Sequence, residues 1–223
     1  MKKNVVLFDL DGTLIDTSRD VLAAFNALMD RHHLPHRSWD DIVPLIAKGS
    51  SAMIELGLQD QSKPMCAEDL QKELIALRHQ YLVDDSQPFA GMTDLLDFLD
   101  QQNITWGVVS NNYHDIINKI LTHFGWENRC QCVVGCDDVP HMKPAADPLL
   151  KATELLQTSV EACIYVGDFR TDIQAANHAG MDSIIAAYGY IDPDDDLNWG
   201  ATAIAHQVSD LRRYIENQCA IGI

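Results

Sequence analysis

Basic residues are what this sequence has least of: 16 Lys plus Arg stand against 33 Asp plus Glu in 223 residues, a net charge of −17. Nucleic acids and anionic membrane surfaces are bound through a basic face, so neither is an expected partner. Long apolar runs are missing as well, and none reaches the ~18 residues that cross a bilayer. The first strand follows directly on Met1-Lys2-Lys3-Asn4, without the apolar segment of a secretory leader, so the expected compartment is cytoplasmic. Six cysteines, at 66, 130, 132, 136, 163 and 219, are too few for a disulfide scaffold in a chain this long. Cys130, Cys132 and Cys136 cluster near His123 and His141, but C-x-C-x3-C is not the spacing of a zinc ribbon or finger. Ordinary cysteines on a strand are the simpler expectation. Repeats and low-complexity tracts are also lacking, while a hydrophobic fraction of 47% is ample for a core.

What is present is organised around one early stretch, Val5-Val6-Leu7-Phe8-Asp9-Leu10-Asp11-Gly12-Thr13. Four consecutive apolar residues, β-branched and aromatic among them, read as a strand buried on both faces. Side chains two apart in extended backbone point the same way, so Asp9 and Asp11 share one small region at the strand's C-terminal end. In an open α/β sheet, ligands bind at that end. Two close carboxylates repel unless a cation or a shared proton separates them. Oxygen ligands of this kind suit Mg²⁺, which takes one or two carboxylates, several waters and a substrate phosphate. A bare D-x-D-G also occurs in turns and calcium loops; its place at the end of a buried strand favours chemistry.

The chain then divides by periodicity. Helices are expected over 17–33, 38–47, 51–58 and 67–83, with no strand pattern among them and Lys48-Gly49-Ser50 between the second and third. Thr17 or Ser18 is a candidate cap for the first. The polar, Pro-bearing segment 84–88 reads as a hinge. Beyond it helices (93–101, 113–124, 148–156, 170–179, 209–218) alternate with strands (104–109, 132–134, 162–166, 183–187). That alternation implies a parallel sheet covered on both faces. The expected organisation is a Rossmann-like α/β domain of residues 1–16 and 88–223, with a helical domain of residues 17–87 inserted in it. The acidic run at 192–196 is most simply a solvated loop.

Three later segments carry polar groups at strand ends. Ser110-Asn111-Asn112 closes the 104–109 strand just before a helix, where a hydroxyl and backbone N–H groups can hold a phosphate, although Ser and Asn are also common caps. Gly167-Asp168 closes the 162–166 strand, and Asp172 lies one helical turn on, so the two carboxylates can face one site. Capping of the following helix by Asp168 is the alternative. Pro144 disfavours helical geometry at Lys143, which then projects from an extended arm; a surface lysine is the plainer reading, but a cluster of aspartates meeting a phosphate needs a fixed counter-charge.

In order, Asp9-Leu10-Asp11-Gly12-Thr13, Ser110-Asn111, Lys143-Pro144 and Gly167-Asp168 with Asp172 resemble the four motifs of haloacid dehalogenase (HAD) superfamily phosphatases. The resemblance covers nearly the whole chain, including a helical insertion at the C1 cap position. Lys143 to Pro148 and Val166 to Gly180 look most like the phosphoglycolate phosphatase-like subgroup. The resemblance implies a nucleophile at Asp9, a general acid and base at Asp11, and charge neutralisation by Lys143. It implies Mg²⁺ held by Asp9, Asp168 and the Asp11 carbonyl, with Asp172 in or behind the shell. Phosphoryl oxygens would meet Ser110 and the backbone N–H groups of Asn111, Gly12 and Thr13. Lys48 and Gly49 occupy the position of a cap loop that contacts substrate in related enzymes. The implied activity is hydrolysis of a small phosphorylated metabolite by a monomer or homodimer. Mutase, pyrophosphatase and sugar- or nucleotide-phosphatase chemistries belong to the same superfamily. A non-catalytic phosphometabolite-binding protein is the reading from another class, and the full set of acids speaks against it.

Overall fold

The computed structural model of the chain describes residues 3–46, 48–59, 65–192 and 194–219. Two compact units emerge, one of Met1–Ile15 with Pro88–Ile223 and the other of Asp16–Gln87. The sequence placed the boundaries at 16/17 and 87/88.

The first strand, β1 (Val5–Phe8), is wholly buried because every residue on it is apolar. It pairs in parallel with β4 (Thr105–Val109) on one side and β6 (Cys163–Gly167) on the other. Further out lie β5 (Val133–Val134) beside β4, then β7 (Asp182–Ala186) and β8 (Ala203–Ala205) beyond β6. Among the described residues the sheet thus runs β5-β4-β1-β6-β7-β8, all parallel. The chain works outward from β1 in one direction and then in the other. The C-terminal end of β1 is therefore the switch point where such sheets bind ligands.

Helices cover the sheet. α5 (Met92–Gln101) packs on α9 (Val208–Gln218), and α7 (Asp147–Leu155) packs on α8 (Arg170–Ala179); α6 (His114–His123) lies against β5. Strand parity decides which residues meet which layer. Val5 and Leu7 of β1, Val109 of β4 and Cys163 and Tyr165 of β6 join one core cluster with Leu149 and Ala152 of α7 and Ala175 and Ala176 of α8. Asp9 continues the parity of Val5 and Leu7 beyond the strand end.

In the second unit, α1 (Ser18–Arg31) packs on α2 (Trp39–Ile46) and α4 (Ala67–Arg78), with α3 (Ser50–Leu58) against α2 and α4. The start of α1 is capped by neither Thr17 nor Ser18. Asp16 does it, its Oδ1 accepting from Ser18 N–H at 3.1 Å and from Ser18 Oγ–H at 2.6 Å. α4 stops at Arg78, short of the expected 83. Asp20 of α1 instead captures the chain that follows, accepting Asp85 N–H at 3.0 Å and the Ser86 hydroxyl. The boundary between the units falls on two short strands that pair with each other, β2 (Ile15–Asp16) and β3 (Gln87–Pro88).

Trp106 of β4 is among the largest wholly buried side chains, set edge-on to Trp126 with ring centroids 6.4 Å apart. Its Nε1–H donates to Asp100 Oδ1 at 2.9 Å, while Asp100 Oδ2 stays paired with Arg129. Trp106→Ala therefore removes packing without orphaning the carboxylate, and should cost about 3–5 kcal/mol. Denaturant unfolding checks this; a loss under about 1 kcal/mol, the size of one hydrogen bond, would mean the cavity collapses and Trp106 is not a core anchor.

Candidate active site

Three strand ends and one crossover converge beyond β1. Asp9 leaves β1, Ser110 leaves β4, Asp168 leaves β6, and Lys143 sits on the connection from β5 to α7; all four side chains are buried. Asp172, in the first turn of α8, is buried with them. Oxygens of Asp9, Asp168 and Asp172 lie within 4.8 Å of one another.

Lys143 is the counter-charge. Its Nζ lies 2.6 Å from Asp172 Oδ1 and 2.9 Å from Asp9 Oδ1. It also donates to Tyr165 Oη at 2.9 Å and approaches the Val109 carbonyl at 3.3 Å. The lysine backbone is held too: Asn111 Nδ2–H donates to Lys143 O and Asn111 Oδ1 accepts Lys143 N–H, each at 3.0 Å. Burial alone would lower the lysine's pKa. The two carboxylates outweigh it and hold the ammonium above its ordinary range.

The acids respond in the opposite sense. Burial, with Lys143 opposing and Asp172 adding repulsion, pushes Asp9 up to about 7. Burial and the Asp9 and Asp172 charges raise Asp168 well above the carboxylate range, against the hydrogen bonds it accepts. Those bonds fix its plane: Thr13 Oγ1–H donates to Oδ1 at 3.0 Å and Tyr190 N–H to Oδ2 at 2.9 Å. Asp168 therefore does not cap α8. Asp172 contributes there, its Oδ2 accepting Phe169 N–H at 2.9 Å.

Space around Asp168 is made by missing side chains. Gly12 has φ +86°, and a Cβ on it would collide with the Asp168 carboxylate and Tyr190; one on Gly189 would strike Gly12 O and Asp168. At Gly12 both the turn and the close approach demand glycine.

The arrangement fits a hard cation. When ionised, the three carboxyl groups exceed the one ammonium by two negative charges, which a divalent cation would meet, and the side-chain ligands they offer are oxygen. Asp9 Oδ1 is buried with only the ion pair to Lys143 and no aligned hydrogen bond. Asp11 stands beside this set, half-buried, with its Oδ2 accepting from Asn112 Nδ2–H at 3.1 Å.

Sequence reasoning assigned phosphoryl contacts that the turn uses internally. Gly12 N–H donates to Ile15 O at 2.9 Å, Thr13 N–H to Leu10 O at 3.3 Å, and the Thr13 hydroxyl serves Asp168. Ser110 Oγ accepts Asn112 N–H at 3.2 Å, which leaves its own hydrogen to donate. Tyr165, Gly189 and Tyr190 were missed, because in the sequence they read as core strand and loop, and Asn112 was read with Ser110 and Asn111 as a phosphate-holding segment or cap, not through its side chain. Lys48 and Gly49 belong to the other unit: Lys48 is exposed in the turn before α3, Gly49 has φ +84°, and Ser50 Oγ accepts from Gln71 at 2.9 Å. The cysteines stay out of the site. All six are free, and burial pushes Cys130 up to about 11 and Cys132 to about 12, so neither is a ready thiolate.

Residues 6–186 match the family model described as haloacid dehalogenase-like hydrolase. A phosphoglycolate phosphatase of Xanthomonas campestris pv. campestris is 36% identical over 207 residues, covering 92% of this chain and 93% of that protein. An N-acetylmuramic acid 6-phosphate phosphatase of Pseudomonas putida is 31% identical over 218 residues, covering 97% and 98%. The crystal structure of a predicted phosphoglycolate phosphatase from Haemophilus somnus 129pt superposes with a TM-score of 0.89 at 22% identity, covering 96% of this chain and 98% of that one.

If the carboxylate cluster takes a divalent cation, the cation should stabilise the fold by mass action, ~2.7 kcal/mol at a hundredfold excess over Kd. Thermal unfolding with and without the metal measures this, and Asp168→Asn should remove the shift. An equal shift in both proteins would place the cation elsewhere.

Proposed function

The chain belongs to the haloacid dehalogenase-like hydrolases as one of their phosphatases, and on that premise we propose that it hydrolyses a small phosphomonoester through an aspartyl-phosphate on Asp9, with Mg²⁺ as cofactor. The observation that carries this reading is the convergence of three buried carboxylates and Lys143 at the C-terminal end of β1, with Asp11 held beside them.

The roles follow from chemistry and position. An oxygen of Asp9 attacks phosphorus as the ester P–O bond breaks, and the departing oxygen takes the proton of the Asp11 carboxyl. Asp11, now a carboxylate, takes a proton from water as that water's oxygen attacks phosphorus. The P–O bond to Asp9 breaks, phosphate leaves, and Asp11 is protonated again. Lys143 holds positive charge beside Asp9 throughout, which favours the ionised nucleophile and the gathering phosphoryl charge. Ser110 Oγ–H and Asn111 N–H are the donors for the phosphoryl oxygens. Asp9, Asp168 and Asp172, with the Asp11 carbonyl, would hold Mg²⁺, which supplies charge neutralisation at the transferring group.

Phosphoglycolate is the first substrate to test, because relatives at 36% and 33% identity are phosphoglycolate phosphatases. A sugar 6-phosphate is the second reading, supported by the N-acetylmuramic acid 6-phosphate phosphatases that match along 95–97% of the chain. Both named substrates join a phosphoester to a carboxylate. We place Lys48 among the groups that recognise that second anion.

Two experiments test the reading. Phosphoglycolate, N-acetylmuramic acid 6-phosphate, glucose 1-phosphate and p-nitrophenyl phosphate are assayed with and without Mg²⁺ for free phosphate. Metal-dependent release is expected, and Asp9→Asn should lower it on the order of a thousandfold or more, as loss of a nucleophile does. Near-normal turnover in Asp9→Asn would refute the phosphoenzyme, and conversion of glucose 1-phosphate to its 6-phosphate without free phosphate would indicate a mutase. Separately, Lys48→Ala should lower kcat/KM on the best carboxylate-bearing ester by about tenfold and spare p-nitrophenyl phosphate. Equal effects on both esters would remove Lys48 from recognition.

A further inference from the structure

Asn112 is joined to the site at more points than a helix-start residue needs. Its side-chain Nδ2–H donates to Asp11 Oδ2 at 3.1 Å, and its backbone N–H donates to Ser110 Oγ at 3.2 Å. Its carbonyl accepts Cys136 N–H at 2.9 Å, so residue 112 is anchored from the β5 side by main chain alone. The amide's orientation is fixed from the other end, because Oδ1 accepts Tyr113 N–H at 3.0 Å and Nδ2 must then face Asp11. Residue 112 precedes the α6 N-cap, Tyr113, whose side chain makes no cap bond; the first helical N–H, that of His114, is taken by Asp137 Oδ1 at 2.8 Å.

Building on the acid–base reading of Asp11, we propose that Asn112 is the positioning residue of that group. It fixes which carboxyl oxygen exchanges the proton and sets the acid relative to the Ser110 hydroxyl. An N–H donor on Oδ2 makes that oxygen an acceptor and leaves the exchangeable proton to Oδ1. The same residue turns the Ser110 hydroxyl by occupying one of its lone pairs. One side chain and one backbone N–H, three bonds apart or fewer from a common Cα, thereby register proton donor against phosphoryl donor. Proton transfer depends on that registry, since a group free to rotate spends most of its time misaligned.

Acid assistance matters for a poor leaving group and little for a good one, which gives the test its readout. Phenyl phosphate and p-nitrophenyl phosphate are nearly the same size, but phenolate leaves poorly without a proton and nitrophenolate leaves well. Asn112→Asp keeps the acceptor for Tyr113 N–H and the backbone bonds while replacing the donor to Asp11 with an acceptor. In Asn112→Asp, kcat/KM on phenyl phosphate should fall about tenfold or more and on p-nitrophenyl phosphate less than about threefold. Inhibition by inorganic phosphate should stay within about twofold, since the phosphoryl donors remain. Asn112→Ala, which deletes both side-chain bonds, should show the same skew. A wild-type ratio of the two esters, or equal losses on both, in both variants would overturn the proposal, since a helix-start role alone predicts no skew. Asp11→Ala run alongside separates the two claims. If it loses equally on both esters, the acid reading of Asp11 has failed; if it is skewed and the Asn112 variants are not, only the positioning role has.

Discussion

Four ionisable side chains, Asp9, Asp168, Asp172 and Lys143, are buried together, and the structure around them answers to the cost of that burial. An ion taken out of water costs several kcal/mol even after relaxation, and removing one partner strands the others. Lys143, Asp168 and Asp172 are accordingly each met on more than one side, while Asp9 Oδ1 has its ion pair to Lys143. Lys143 serves two carboxylates and Tyr165, while Asp168 is held by Thr13 and the Tyr190 N–H. The glycines at 12 and 189 exist where Asp168 leaves no room for a Cβ. Burial and mutual repulsion hold Asp9 and Asp168 toward their protonated forms, and a divalent cation would let them ionise, which is the local reason the cluster suits one.

That local balance also resolves the tension between a strongly acidic chain and an anionic substrate. A net charge of −17 is a long-range property, screened within roughly 10 Å at ordinary ionic strength. The chemistry depends on the few charges inside that distance, where one enclosed ammonium counts for more than many exposed carboxylates.

The strand pattern, the helices after residue 92 and the acids at strand ends were legible because each rests on local rules: apolar runs, 3.6 periodicity and parity. Three-residue β8 and the two-residue β2 and β3 were not, since such short pieces carry no period and exist only through their partners. α4 ended early for a similar reason, its continuation being drawn off by Asp20, some 65 residues away in sequence. Within the site the acids and Lys143 announced themselves by type and place. Tyr165 did not, because a tyrosine in an apolar strand looks like core until its hydroxyl is seen beneath Lys143. Asn111 read as a possible phosphate ligand through its backbone; its side chain instead holds the Lys143 main chain, a pairing across 32 residues that no local pattern encodes.

The enclosure of Lys143 has a consequence for the amine as a reagent. An amine reacts with acyl, carbonyl and isocyanate groups through its lone pair, and an ammonium kept above its ordinary range by two carboxylates has none to offer at neutral pH. Lys72 and Lys119, 3.7 and 4.0 Å from Asp69 and Asp115, are exposed, where a reagent can reach them. Covalent labels and enzymatic acylation would therefore decorate the surface of this protein and pass over the lysine on which its charge balance rests.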